Sequence, residues 1–182
     1  MHRSAHRPPD EQVEHALHYV DPYAERGLIY RANVRFGRTR MGRGYGLRWG
    51  SRFDPWLYRI TGGRYPSILG WIATAPLITA GARTGEPREV QLTYFHDGPD
   101  PILIASNGGG PRHPQWYHNL LACPECEFGD RPYVATEVTD PDEYDRLYVL
   151  AEKVFAGYRD YRTKTAALGR RIPVFRLTAT EG

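Results

Sequence analysis

Cysteine, lysine and long apolar runs are scarce in this 182-residue chain. Its two cysteines, Cys123 and Cys126, stand three positions apart, which argues against a disulfide framework. No stretch approaches the roughly 20 apolar residues of a membrane-spanning helix. Met1–Asp10 is polar and proline-rich with no apolar segment behind it, so no signal peptide is expected and a cytoplasmic location is. Lysine is confined to Lys153 and Lys164, so the abundance of arginine reflects composition as well as any binding role. Acid is missing from one region. Between Arg26 and Arg64 ten arginines meet a single acid, Asp54. Such asymmetry points to an anionic partner: a phosphorylated cofactor, a nucleic acid or a lipid surface. No Ser-His-Asp order and no paired-carboxylate pattern stands out.

What is present divides at about residue 50. Residues 1–50 read as an irregular Arg/Gly-rich extension, with one short helix expected over Glu11–Val20 from the apolar positions Val13, Ala16, Leu17 and Val20. Its "RFGRTRMGRGYGLRWGSRF" alternates glycine and arginine with aromatics, a composition that disfavours a packed core. Stacking rings and guanidinium groups suit single-stranded nucleic acid. A surface-wrapping or partner-binding arm is preferred, because no compact nucleic-acid module follows. Residues 51–182 read as one domain. A helix is expected over Ser51–Arg59, entered at Asp54-Pro55 and stopped by Thr61-Gly62-Gly63. Strands are expected over 71–79, 89–96, 101–105, 133–138 and 172–177. A short helix is expected over 114–122. A long one begins at Asp140-Pro141-Asp142-Glu143, which has the form of a capping box, and runs to about Leu168. Many short strands with few helices predict a mainly β (α+β) fold, a small β-barrel with attached helices.

Four stretches carry candidate chemistry. "GARTGEPREV", residues 81–90, puts Arg83 and Arg88 at a hairpin tip beside Thr84 and free backbone N–H groups. That set suits a phosphate. A plain charged hairpin, with Arg88 answering Glu86 or Glu89, accounts for it equally. "ASNGGGPRHPQWYHNL", residues 105–120, leaves a strand through three glycines and enters a helix. It suits close approach to a flat or phosphorylated ligand, or else a connector whose Trp116 plugs the core. "CPEC", residues 123–126, follows a helix and leads toward a strand, the reverse of a redox pair. His113 and His118 are wrongly spaced to complete a zinc site with it, and no metal is expected. Phe155, Tyr158 and Tyr161 recur every three residues on one helix face. They read either as core or as a pocket wall where a phenol bonds a substrate oxygen.

Taken in order, "WLYRITGG" (56–63), "LITAGARTGEPREVQLTYF" (77–95), "ASNGGGPRHPQWYHNLLACP" (105–124) and "FAGYRDY" (155–161) resemble the deazaflavin-dependent nitroreductase family. These are mainly actinobacterial oxidoreductases on an FMN-binding-like split β-barrel that use coenzyme F-420. The resemblance covers about residues 52–179. It implies that Thr79, Gly81, Arg83, Thr84, Gly85, Pro87 and Arg88 cradle the cofactor's phosphate side chain. It implies further cofactor contacts from Ala105, Ser106, Asn107, Gly108, Gly109 and Trp116. Ala82 stands where the family commonly has arginine, Arg83 where it has lysine, and Asn107 where it has lysine. Tyr158 and Tyr161 match substrate-pocket tyrosines, and Phe155 replaces another.

The implied activity is hydride transfer from reduced deazaflavin to a quinone-like or nitroaromatic acceptor. Ser106, Tyr158 and Tyr161 are the candidates to stabilise charge on the acceptor oxygen, Tyr158 foremost. The other readings are a split-barrel reductase using FMN and a non-catalytic cofactor carrier or nucleic-acid-binding module. The expected partner is a small-molecule electron acceptor, with the Arg-rich arm contacting an anionic membrane, no nucleic acid, and a monomeric or homodimeric state.

Overall fold

Polar and apolar residues alternate through Thr74-Ala75-Pro76-Leu77, and the chain there is a strand whose every second side chain is buried. The computed structural model describes residues 17–24 and 73–180. Six strands are formed: β1 (Thr74–Ala80), β2 (Pro87–Asp97), β3 (Asp100–Ile104), β4 (Glu125–Phe128), β5 (Arg131–Glu137) and β6 (Val174–Ala179). They close into an antiparallel barrel in the order β1-β2-β3-β6-β5-β4, so neither edge is left open. The register sends Leu77, Val90, Phe128, Tyr94 and Leu177 inward. Three helices complete the described part: α1 (Gln115–Ala122), α2 (Pro141–Val154) and α3 (Gly157–Ala167). This is the split-barrel architecture that the resemblance implies.

Two elements differ from the sequence expectation. The strand β4 was not expected. It pairs with β5 through a two-residue Gly129-Asp130 turn and with β1, and it is what closes the barrel. The long helix expected from Asp140 to Leu168 is two helices. It opens as expected, with Asp140 Oδ1 accepting the Glu143 N–H at 2.8 Å. It then breaks at Phe155, whose backbone is extended at φ −141° and ψ 105°. Gly157 lies directly beneath the Phe155 ring, and a Cβ there would collide with it. The break turns Phe155 back over α3. Its ring still meets Tyr158 at 5.3 Å and Tyr161 at 6.0 Å between centroids.

The helix expected over Glu11–Val20 is also corrected where it is described, since Leu17–Val20 has no helical structure. Instead Val20 pairs with β2: its N–H donates to His96 Nδ1 at 3.0 Å, and its carbonyl accepts the His96 N–H at 2.9 Å. Burial, with His18 adding to it, brings the His96 imidazole down to about 4, so the ring is neutral and can accept. Residues 11–16, the helix expected over Ser51–Arg59 and the Arg/Gly-rich stretch lie outside the described residues.

Charge fastens α2 to the barrel. Arg176 on β6 donates to Asp97 at 2.7 Å, Glu143 at 2.7 Å and Asp100 at 3.1 Å. Arg146 adds a bidentate pair to Asp97 at 2.8 Å. The two guanidinium groups hold the Asp97 carboxyl down at about 2.

Candidate active site

One end of the barrel gathers the sequence candidates. Because β1 and β3 run to it and β2 leaves it, the hairpin tip 81–86 and the glycine loop 105–110 emerge there together. Helix α1 caps the same end. Trp116 is 6% exposed and packs edge-on against Phe175, plugging the barrel. It is a core residue with no solvent-facing surface to offer. Burial of a ring this size contributes about 2–3 kcal/mol to the fold.

Asn119, also on α1, was not among the candidate site residues and proves central. It is 1% exposed. Its Nδ2 donates to the Thr79 hydroxyl at 2.9 Å, and its Oδ1 accepts the Ala82 N–H at 3.1 Å. One amide thereby bolts the last buried residue of β1 and the first exposed residue of the tip to the helix. Beyond that bolt the turn closes on itself, with Gly85 N–H donating to Gly81 O at 2.7 Å and Gly81 N–H to Glu86 O at 2.9 Å.

The two arginines at the tip are not equivalent. Both are exposed. Arg88 donates to Glu86 at 2.9 Å, as a plain charged hairpin predicts. Arg83 has no ion pair or hydrogen bond among the described residues. An exposed guanidinium with Thr84 beside it, on a tip anchored from below, is chemistry for an anion.

The glycine loop is a 3-10 turn over Asn107–Gly109. Gly109, at φ +74°, is pressed against Tyr161, and a Cβ would meet that ring at 3.1 Å and its backbone at 3.2 Å. Loop and α3 thus touch only because this residue lacks a side chain. From the other side Arg170 clamps the loop, donating to Ser106 O at 2.6 Å and lying 3.1 Å from His113 Nδ1. Asn119 falls within the "HPQWYHNL" part of the motif that carries the resemblance, whereas Arg170 has no local sequence signal of its role. The Ser106 hydroxyl makes no hydrogen bond among the described residues.

Tyr158 is 5% exposed, while Tyr161 is only partly buried. Burial pushes the Tyr158 phenol well above its ordinary range, with the Thr93 side chain on β2 acting weakly in the opposite sense, so it stays protonated. The hairpin tip and the tyrosines do not touch directly. They are joined by β2, along which Arg88 and Thr93 stand roughly 17 Å apart at strand rise. Burial pushes the Cys126 thiol up to about 12, and a hydrogen bond to Glu125 raises that of Cys123. Both are held as thiols rather than the thiolates that redox or metal chemistry needs. A separate open groove of about 310 Å³ lies beyond α1, with His113, Tyr117, Glu137 and Arg170 in its walls. None of the sequence candidates lines it.

The model of the F-420H(2)-dependent quinone reductase family matches residues 50–179. The chain belongs to this family. That makes it an oxidoreductase whose cofactor is coenzyme F-420. An F-420H(2)-dependent quinone reductase of Mycobacterium tuberculosis is 40% identical over 130 residues, covering 67% of this chain and 85% of the relative. A solved F-420-H2 dependent reductase is 33% identical, with a TM-score of 0.50, over 58% of this chain and 93% of that one. A second solved structure, described as a domain-swapped dimer, is 29% identical with a TM-score of 0.53, over 69% and 98%. As for a membrane-bound acceptor, no helix among the described residues is long and apolar enough to cross a bilayer.

The residues fit the cofactor that defines this family of reductases. The uncommitted Arg83 suits its phosphate. An amide oxygen on β2, Gln91 Oε1, lies buried without a hydrogen-bond partner among the described residues, between the hairpin and the tyrosines. A buried acceptor left unpaired is costly, and a ligand that donates to it relieves the cost.

Proposed function

We propose that this chain reduces quinones with F-420H2, binding the cofactor along β2 with its phosphate at the hairpin tip and its ring beside α3. The observation that carries the reading is that β2 begins just after the turn bearing the exposed Arg83 guanidinium, which has no ion pair among the described residues, and runs to Thr93, a neighbour of the Tyr158 phenol on α3. When bound, reduced F-420 supplies a hydride, which with one proton converts a quinone to a quinol. Everything else falls to the chain's own residues.

Arg83, with Thr84 and Arg88, holds the phosphate by charge-assisted bonds. Thr79, Gly81, Gly85 and Pro87 shape the turn that presents them. Ala105, Ser106, Asn107, Gly108 and Gly109 form the wall facing the ring, and Trp116 supports that wall from inside the barrel. Ser106 and Tyr161 donate to the acceptor oxygen as negative charge grows on it. Tyr158 stands behind Tyr161, so accessibility gives Tyr161 the direct contact. The Arg-rich arm, read as an extension to a domain starting near residue 51, offers an anionic membrane a place to bind; a family match beginning at residue 50 supports that division.

The test is a titration of the purified protein with F-420 and, separately, FMN, followed by anaerobic mixing of F-420H2 with a soluble benzoquinone or menaquinone analogue. Saturable F-420 binding and protein-dependent cofactor oxidation are expected. Binding of FMN in preference to F-420, or no turnover with any quinone, refutes the proposal.

A further inference from the structure

The β1–β2 ribbon has two faces. Ala75, Leu77, Val90 and Leu92 point into the barrel, so their neighbours in register point outward: Thr74 opposite Thr93, and Pro76 opposite Gln91. Three polar side chains on this outer face form a connected row. Gln91 Nε2 donates to the Thr74 hydroxyl at 3.3 Å, Thr74 stands across from Thr93, and Thr93 neighbours the Tyr158 phenol. The row ends in an atom with nothing to bond. Gln91 Oε1 is buried and has no partner among the described residues.

Most buried polar atoms are paired, and one that is not has usually been kept for a reason other than stability. A glutamine here is a poor choice for the fold alone. The position is half-buried on a strand, where valine, threonine or an aromatic packs better and leaves no orphan. With one Nε2 hydrogen given to Thr74, the side chain keeps a second N–H and an unused acceptor, Oε1. No donor among the described residues bonds Oε1.

We infer that Gln91 is a cofactor-anchoring residue, its Oε1 accepting a hydrogen bond from the imide N–H of the deazaflavin ring. This inference rests on the cofactor placement proposed above. The amide is three residues along β2 from Arg88 and two from Thr93, so it stands between the phosphate end and the phenol end of the proposed site. The bond fixes the ring's rotation about its long axis, which decides which face and edge the acceptor meets. Gln91 itself moves no proton and no electrons.

A residue kept for a ligand at the expense of the fold has a signature that a structural residue lacks. Replacing it stabilises the empty protein and weakens binding. The experiment measures two quantities on the same full-length samples: the melting temperature without cofactor, and the Kd for F-420 from fluorescence quenching. Gln91→Met keeps the side chain's length without the acceptor, and Gln91→Leu covers the case in which Met packs badly. For the better-folded of the two, a melting temperature equal to or above the parent's is expected, with a Kd raised about tenfold, the effect of one lost hydrogen bond to a buried acceptor. A Kd within twofold of the parent's overturns the inference, whatever the melting temperature. So does a marked fall in melting temperature in both variants, which assigns Gln91 to the fold. A parent protein that does not bind F-420 overturns the cofactor placement and this inference together. Normal parent binding with unaffected variants overturns this inference alone.

Discussion

At the hairpin tip Glu86 competes with the cofactor's phosphate for Arg88, and that competition sets the order in which three substitutions should act. Arg83 has no partner among the described residues to give up, so one charge-assisted bond to phosphate brings its full worth of about 1.5–3 kcal/mol. Arg83→Ala should therefore raise the Kd for F-420 roughly ten- to a hundredfold. Arg88 must first leave Glu86. The pair is exposed, with side-chain accessibilities of 56% and 67%, and lies at 2.9 Å. Exposed pairs of this kind contribute about 0.2–1 kcal/mol. Arg88→Ala should thus cost less than Arg83→Ala by up to about fivefold in Kd. Glu86→Gln should do the opposite of both. It releases Arg88 and removes an anion from beside the phosphate, while the backbone bonds of Glu86 to Gly81 and Thr84 remain. Its Kd should fall by up to about fivefold. Fluorescence titration at low and high salt measures all three, and the differences should shrink as salt screens these exposed charges. A Glu86→Gln variant that binds F-420 more weakly than the parent refutes the reasoning, as does an unchanged Kd in folded Arg83→Ala.

Three further outcomes are expected. Asn119→Ala leaves the Thr79 hydroxyl and Ala82 N–H without their partner, and should lower unfolding stability by about 2–4 kcal/mol in urea denaturation while weakening F-420 binding. Tyr161→Phe should slow quinone reduction about tenfold with little change in cofactor affinity. Tyr158→Phe, at the more buried site, should chiefly lower the melting temperature; equal turnover losses in both would count against that division of roles. Asp97→Asn should remove a pH dependence as well as stability. The Asp97 carboxyl is depressed to about 2 in the fold, so its stabilisation is complete above the ordinary carboxylate value and lost as pH falls from about 4 toward 2. Urea midpoints measured across that range should fall less steeply in the variant, and identical slopes would exclude Asp97 as the titrating group.

Much of the barrel was legible because it is local. The alternation in Thr74–Ala80 and the Asp140 cap are written within a few residues of themselves, and the structure has both. Strand β4 was missed because four residues, Glu-Cys-Glu-Phe, are too few for periodicity to speak. Its one signal was the Gly129-Asp130 turn that follows, a dipeptide suited to a tight hairpin. The helix break at Phe155 was missed for a different reason. Helical spacing continues straight through it, and the close seat of the Phe155 ring over Gly157, which the break requires, is a contact in space that spacing does not report.

The sequence alone determined the family, because an ordered series of short motifs survives without any knowledge of how they meet. It also determined the candidate residues, since glycine, arginine and tyrosine announce their chemistry by type. Tertiary structure decided which of them are available. It committed Arg88 to Glu86, left Arg83 free of ion pairs, buried Trp116 and Tyr158, and left Tyr161 within reach of solvent. It also supplied Asn119 and Arg170, whose partners lie 37 to 65 residues away. Hydrogen-bond satisfaction is a property of neighbours in space, so whether an amide holds a hairpin in place or is left with an unpaired oxygen is decided only when the barrel closes.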